Sequence, residues 1–381
     1  MRIAQLANFY SPTSGGLRTA VDTLGRGYLA AGHDRVLIVP GRYRTEEHTD
    51  AGLVITLPGV PVSGGYRMVF RRADILWALE RIRPDSVEVS DKATMTVAGD
   101  WARRHGAAAV LFSHERLDMW LAARLPAAWR LAGPTLDRAV ARWNRRLAGR
   151  FDVVVVTSAY AEAEFTPLGV GRVCRVPLGV DLETFRPGTP LSDNGPIRLA
   201  YAGRVSQEKN PGAVIEAVKL LVRNGTDVRL DVYGTGAALP ELRRRAHGLP
   251  VVCHGHVTGR AELARRLAAA DVAFAPSPAE TFGLSVLEAL ACGTPVVAAD
   301  TGGAGELLAP DAGVAVSPTP AGIAGGVAEV LSWPTARRRT AARAQAERYP
   351  WSATVERMLN LHTTVADGGV DRTVARTEDT R

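Results

Sequence analysis

From Arg2 to Val316, apolar runs of strand length alternate with stretches of helical period. Strands of that kind are buried on both faces, so the alternation predicts parallel sheets with helices packed on either side, an α/β class. In the first half the strands are predicted at Arg2–Ala7, Val36–Val39, Leu53–Leu57, Ser86–Val89, Ala109–Ser113, Asp152–Val156 and Cys174–Val176. In the second they are predicted at Arg198–Ala202, Val228–Tyr233, Val251–His254, Val272–Ala275, Val296–Ala298 and Val314–Val316. Between the halves, Pro187–Pro196 has three prolines, two glycines and no apolar period, which marks a linker. The expected architecture is therefore two Rossmann-like doubly wound domains, 1–186 and 197–350, facing a central cleft. A helical pattern at 351–362 follows Pro350 and is expected to cross back to the first domain. Residues 363–381, poor in large apolar side chains, are expected to be a disordered tail.

With 381 residues, 46% hydrophobic and 22% charged, the chain has material for two cores. No apolar run approaches the ~20 residues needed to span a bilayer, and Met1-Arg2 leads directly into a strand pattern, so a cytosolic chain is expected. Cys174, Cys253 and Cys292 lie too far apart to suggest a metal or redox site and read as buried fillers. The net charge of +7 is concentrated in the first half and comes almost wholly from arginine. Lysine occurs only at 92, 209 and 219.

Three strand-to-helix loops hold the candidate chemistry. After the first strand, Gly15-Gly16 opens a helix; paired glycines allow close backbone approach to a ligand, and an anion suits the helix start. A plain tight turn explains the same pair. After Ala202, Arg204 and Lys209 flank a loop at the carboxyl end of a strand, where doubly wound folds bind ligands and where two cations suit a pyrophosphate. The segment Pro278–Val297 follows a strand, places Glu280 in the loop, starts a helix near Gly283 and ends it at Gly293. Amides of Gly283, Leu284 and Ser285 would face a diphosphate. Glu288 lies about 7 Å further along the axis, an offset that suits a ribose. His114 is a titratable ring just beyond a strand, and a lone histidine is as often structural. His254 and His256 form only a fragment of a metal site. No Asp-x-Asp occurs, so no metal is implied and no cofactor is expected.

The A-G-R-x-x-x-x-K-N loop with Arg204 and Lys209, the pair Glu280 and Glu288, and the Gly15-Gly16 turn together resemble glycosyltransferase family 4. These are retaining enzymes of the two-Rossmann-domain, GT-B type that transfer sugar from a nucleotide diphosphate. The resemblance covers residues 1 to 362. It implies phosphate contacts from Arg204 and Lys209, a ribose contact from Glu288, a sugar contact from Glu280, and a place for His114 beside the transferred sugar. It further implies a nucleobase edge held by Gly255, His256 and Val257, with Gly234 shaping that wall beside Gly236. Gly16, Phe282, Gly283, Leu284 and Ser285 complete the implied donor set. Tyr10, Gly15, Arg18 and Arg116 are the implied acceptor set. Front-face attack, with the departing phosphate taking the acceptor proton, is favoured over a covalent nucleophile.

Asn8-Phe9-Tyr10, Gly16–Asp22, Glu88–Asp91 and Ser113–Asp118 are most similar to the actinobacterial GDP-mannose-dependent mannosyltransferases of glycolipids such as phosphatidylinositol mannosides. A UDP-sugar enzyme with a small soluble acceptor, and a sugar-nucleotide binder without turnover, are the alternatives. Residues 124–150 contain seven arginines, one acid and two tryptophans, with Leu136, Ala139, Val140, Trp143 and Leu147 at helical spacing. Such a stretch suits an anionic membrane surface, at the inner face of the plasma membrane, or simply packs inward with a solvated face. No groove-reading motif points to nucleic acid.

Overall fold

The structure, a computed structural model, describes residues 1–11, 15–62, 65–119, 133–188 and 195–368. The chain divides into two compact units, Met1–Pro177 with Ser352–Arg381, and Leu178–Trp351. The division falls at Pro177–Leu178, ahead of the proline-rich stretch read as the linker, of which 189–194 lie outside the described residues.

The strands of the first unit are β1 (Arg2–Leu6), β2 (Asp34–Gly41), β3 (Thr45–Thr49), β4 (Gly52–Pro58), β5 (Val60–Pro61), β6 (Arg67–Met68), β7 (Ser86–Val89), β8 (Ala108–Phe112), β9 (Val153–Val156) and β10 (Val173–Arg175). Eight of them form one sheet in the order β10-β9-β8-β7-β1-β2-β4-β3. The sheet is parallel apart from β3, which runs antiparallel to β4. That departs from the all-parallel expectation, as does the small β5–β6 hairpin. Strand β3 reads TEEHT, is exposed throughout, and closes the sheet with charge, a common protection against edge-to-edge pairing. Further into the sheet, β7, β8 and β9 are buried at every position, as expected of strands with helices on both faces.

The helix Trp351–Ala366 belongs to this unit from Ser352 onward. It runs four residues past the expected boundary, placing Val365, 9% exposed, in a packed position rather than in a tail. Residues 369–381 lie outside the described residues. Its seat is polar as well as apolar. His362 Nδ1 and Ser86 Oγ are 2.7 Å apart, and His362 Nε2 lies 3.1 Å from Glu88 Oε2. Glu88 also accepts from Gln5 Nε2 and the Tyr28 hydroxyl, so a carboxylate with no exposure has three partners.

The second unit contributes β11 (Ile197–Ala202), β12 (Val228–Tyr233), β13 (Val251–Gly255), β14 (Val272–Ala275), β15 (Val296–Ala299) and β16 (Gly313–Val316). Their order, β13-β12-β11-β14-β15-β16, is all parallel. It reverses between β11 and β14, and ligands of such sheets bind outside the strand ends at that switch point. Leu199, Tyr201, Val232 and Phe274 from the sheet pack with Val214, Val218 and Val327 from the helices.

Cys292 is buried, whereas Cys174 and Cys253 are partly exposed, so only one of the three is a true filler. Among the described residues no helix is long and apolar enough to cross a membrane.

Candidate active site

The loops after β11 and β14 flank the switch point of the second unit, and they are cross-linked. Lys209 Nζ donates a 2.6 Å hydrogen bond to Glu280 Oε2, and Ser277 Oγ donates to the Glu208 carbonyl at 2.9 Å. Asn210, in the left-handed conformation at φ 52°, directs its amide to the carbonyls of Pro276 and Pro318. Beneath the loop the buried Tyr201 hydroxyl donates to the Arg204 carbonyl at 2.8 Å. Arg204 pairs with Glu208 at 3.5 Å, with nearly half of its side chain exposed. Lys209 and Glu280 are thus brought together, with Arg204 on the same loop as Lys209.

Gly303 N donates to the Glu280 carbonyl at 2.6 Å, which fixes the backbone of that loop. Two residues on, Phe282 is buried, and Gly283 at φ 105° precedes the helix Leu284–Ala291. A Cβ at Gly283 would stand 3.1 Å from Val286 Cγ2. No side chain caps this helix. Leu284 and Ser285 occupy its first turn, and Glu288 lies one turn further, where Arg260 Nη2 approaches its carboxylate at 3.3 Å. Burial pushes Glu288 up to about 7, Arg260 pulls it down, and Asp181 adds to the rise.

Gly234 and Gly236 are not simple turn residues. A Cβ on Gly234 would come within 1.8 Å of the Gly203 carbonyl oxygen, and one on Gly236 within 2.2 Å of the Val205 oxygen. The β12 loop is laid against the β11 loop, with Gly203 N and Val205 N donating to Tyr233 and Thr235 carbonyls at 2.9 Å. Gly255 ends β13 at φ 77° with open space around it, His256 is exposed, and Val257 is half-buried. His254 pairs with Asp231 at 2.6 Å and stacks on Tyr233. Among the described residues no group of three His, Cys, Asp or Glu is placed to hold a metal ion.

In the first unit His114 follows β8, stacks on Phe112 at 4.3 Å, and lies 3.2 Å from Ser90 Oγ at the end of β7. Burial pushes its imidazole down to about 4, Glu88 opposing and Lys92 assisting, so the ring is neutral near pH 7. Lys92 is bonded to Glu164 and to the Glu115 carbonyl, and Glu164 accepts from Leu117 N at 2.7 Å. The His114–Asp118 loop is held by this pair. Arg116 forms a 2.5 Å ion pair with Asp118, donates to the Tyr160 carbonyl and lies over the Tyr160 ring. Its fork is therefore engaged locally.

Tyr10 donates to Asp22 at 2.7 Å, and Arg18 lies over its ring. Gly15 caps the helix starting at Gly16, at φ −70° with open space where a Cβ would stand, so no protein atom demands glycine there. Ser14 lies outside the described residues. Missed from sequence was the pairing of Asn8 with Asp91, which stand in two of the quoted motifs and are buried and bonded at 3.1 Å across the switch point between β1 and β7. Their pairing joins residues far apart in the chain. Arg260 was also missed, and nothing local distinguishes it from the other arginines.

With two doubly wound sheets, one of them carrying a Lys–Glu pair and an uncapped helix start at its switch point, the chain has the GT-B fold. Residues 184–347 match the family model "Glycosyl transferases group 1", and residues 14–184 match "Glycosyltransferase Family 4". The chain is 44% identical, over 94% of its length and 95% of the relative's, to a GDP-mannose-dependent alpha-(1-6)-phosphatidylinositol dimannoside mannosyltransferase of Mycobacterium tuberculosis. It is 29% identical to a glycogen synthase of that organism, over 91% of this chain and 89% of the relative. Among solved structures, a sucrose-phosphate synthase from Thermosynechococcus elongatus matches with a TM-score of 0.79 at 21% identity, covering 96% of this chain and 99% of that one. That likeness bears on the fold alone. The chain belongs to glycosyltransferase family 4 and is a hexosyltransferase.

Proposed function

We propose that this glycosyltransferase moves mannose from GDP-mannose, with retention, to a hydroxyl of a glycolipid acceptor such as a phosphatidylinositol mannoside. The observation that carries this reading is 44% identity, maintained over 94% of the chain, with the mycobacterial mannosyltransferase. The donor is assigned to the second unit. An ammonium has three N–H donors and one suffices for Glu280, so Lys209 can address a diphosphate together with Arg204 while still holding that carboxylate in place. Gly283, Leu284 and Ser285 add helix-start amides, Glu288 is given the ribose, and Glu280 the sugar. Gly234, Gly255, His256, Val257, Phe282 and, from the first unit, Gly16 complete the proposed donor contacts.

Charge developing on the departing diphosphate is then met by Arg204 and Lys209, fixed cations that need little reorganisation. His114, neutral near pH 7, is assigned to the hydroxyls of the transferred sugar. The departing phosphate takes the acceptor proton, with no metal assigned a role. Tyr10, Gly15, Arg18 and Arg116 are proposed for the acceptor.

Work at an anionic membrane surface from the cytosolic side fits the helix Gly133–Ala148. Val140, Asn144 and Leu147 face inward, whereas Trp143, 44% exposed, stands among the exposed Arg138, Arg142, Arg145 and Arg146. Trp143 therefore leaves the apolar stripe expected of it, and residues 120–132 lie outside the described residues.

Incubation with radiolabelled GDP-mannose and phosphatidylinositol dimannoside is expected to give a labelled trimannoside with an α-linkage. Transfer from UDP-glucose but not GDP-mannose would overturn the assignment, as would labelling of a small soluble glycoside alone.

A further inference from the structure

Glu288 sits in a cluster built from three segments of the second unit. On one side Arg260, at the start of the helix Arg260–Ala268, approaches its carboxylate at 3.3 Å. The guanidinium is itself held, lying over the Phe185 ring at 4.9 Å from its centroid. Asp181, whose Oδ1 accepts from the amides of Glu183 and Thr184, is near enough for its charge to act on both Glu288 and Arg260. Cys292 follows on Glu288's own helix. From the helix Thr335–Glu347, Arg343 donates to the Ala291 carbonyl and Arg339 to the Cys292 carbonyl, both at the C-terminal end of that helix. Among the described residues Arg260 is therefore the cation in direct contact with a carboxylate whose side chain is only 14% exposed.

We propose that Arg260 is a positioning residue for the donor: anchored on Phe185, it orients the Glu288 carboxylate and balances its charge so that both oxygens accept from the ribose hydroxyls. The proposal rests on the assignment of Glu288 to the ribose. A buried carboxylate without a cation takes up a proton, and a neutral carboxyl with one acceptor oxygen forms weaker hydrogen bonds than a carboxylate with two. Burial pushes Glu288 up to about 7 even beside Arg260, so the balance between its two forms lies near neutral pH. Arg260 is 43% exposed at its side chain, so its substitution should leave the core intact.

The test is calorimetric titration of the full chain with GDP and with 2′,3′-dideoxy-GDP between pH 6 and 9, for wild type, Arg260→Gln, Arg260→Lys and Glu288→Gln. Arg260→Gln is expected to weaken GDP about tenfold near pH 7, the scale of a lost charge-assisted hydrogen bond. It should also move the rise of affinity with pH upward, Arg260→Lys should restore part of both, and the dideoxy nucleotide should be insensitive to all three substitutions. If Glu288→Gln weakens GDP while Arg260→Gln matches wild type in affinity and pH profile, the positioning role is wrong and the ribose assignment stands. If Glu288→Gln binds GDP like wild type, the ribose assignment fails and the positioning role with it.

Discussion

Lys209 Nζ and Glu280 Oε2 are 2.6 Å apart, joining loops from either side of the switch point across 71 residues of sequence. With side chains 28% and 22% exposed, the pair is open to water, and such pairs add only ~0.2–1 kcal/mol to stability. Its position is better suited to fixing two functional groups relative to each other. Lys209→Met is expected to lower the transfer rate by ~10²–10³, the scale for removing one preorganised donor. The melting temperature should fall by no more than about 4 °C. Initial rates and melting curves on the same preparations check this, and a collapse of both together would make the pair structural.

Gly234 and Gly255 separate close approach from mere turning. Gly234→Ala forces a methyl toward the Gly203 oxygen, 1.8 Å from its ideal position, so the β11 and β12 loops must part. A loss of about 1–3 kcal/mol from overpacking is expected, together with loss of nucleotide binding. Gly255→Ala meets no protein atom within 4 Å, so it bears only the left-handed strain of ~1–2 kcal/mol and leaves the β11 and β12 loops in contact, any loss of nucleotide affinity coming from the added methyl at the donor itself. Denaturant unfolding and nucleotide titration of both variants test the contrast.

His114 and Asp91 should act on stability with opposite signs below neutral pH. His114, at about 4 when folded, binds fewer protons than in the unfolded chain, so it removes stability as pH falls from about 6.5 toward 4. Asp91 is pushed up to about 6 by burial, so the folded chain holds the extra proton and gains stability as pH falls through that value. The two offset in wild type. His114→Gln should therefore gain stability relative to wild type between pH 6 and 5, by up to ~1.4 kcal/mol per pH unit. Unfolding free energies of the two chains at pH 5 and 7 provide the measurement; an unchanged difference would mean that the imidazole titrates near its ordinary value.

His362→Ala should loosen the C-terminal helix. It leaves Glu88, with no exposure, without one of its three hydrogen-bond partners, a loss of roughly 1–3 kcal/mol for a buried polar group. Limited proteolysis is expected to cut within Trp351–Ala366 in the variant and not in wild type; equal resistance would place the helix's anchorage in its apolar contacts.

The sheets are legible in sequence because their central strands are dominated by short apolar runs, of which Val153–Val156 is the purest, and burial on both faces leaves that mark. Strand β3 is not, since TEEHT contains neither an apolar run nor an alternation. Spacing puts Trp143 in the packed stripe because a helical period cannot tell which of two adjoining faces meets the core, and Asn144 occupies the inward place by donating to Glu164. At the site, Lys209 and Glu280 are readable from local motif and strand context. The Arg260–Glu288 contact is not, because it depends on which turn of two separate helices comes together, and neither spacing nor residue type records that.

Titration of GDP into wild type, Arg204→Ala and Lys209→Met tests the donor assignment most directly. Saturable binding to wild type is expected, weakened ~10- to 100-fold in each variant, as follows from losing a hydrogen bond to a charged phosphate. Equal GDP affinity in all three chains would contradict it, for the diphosphate would then lie away from the loop that presents Arg204 and Lys209.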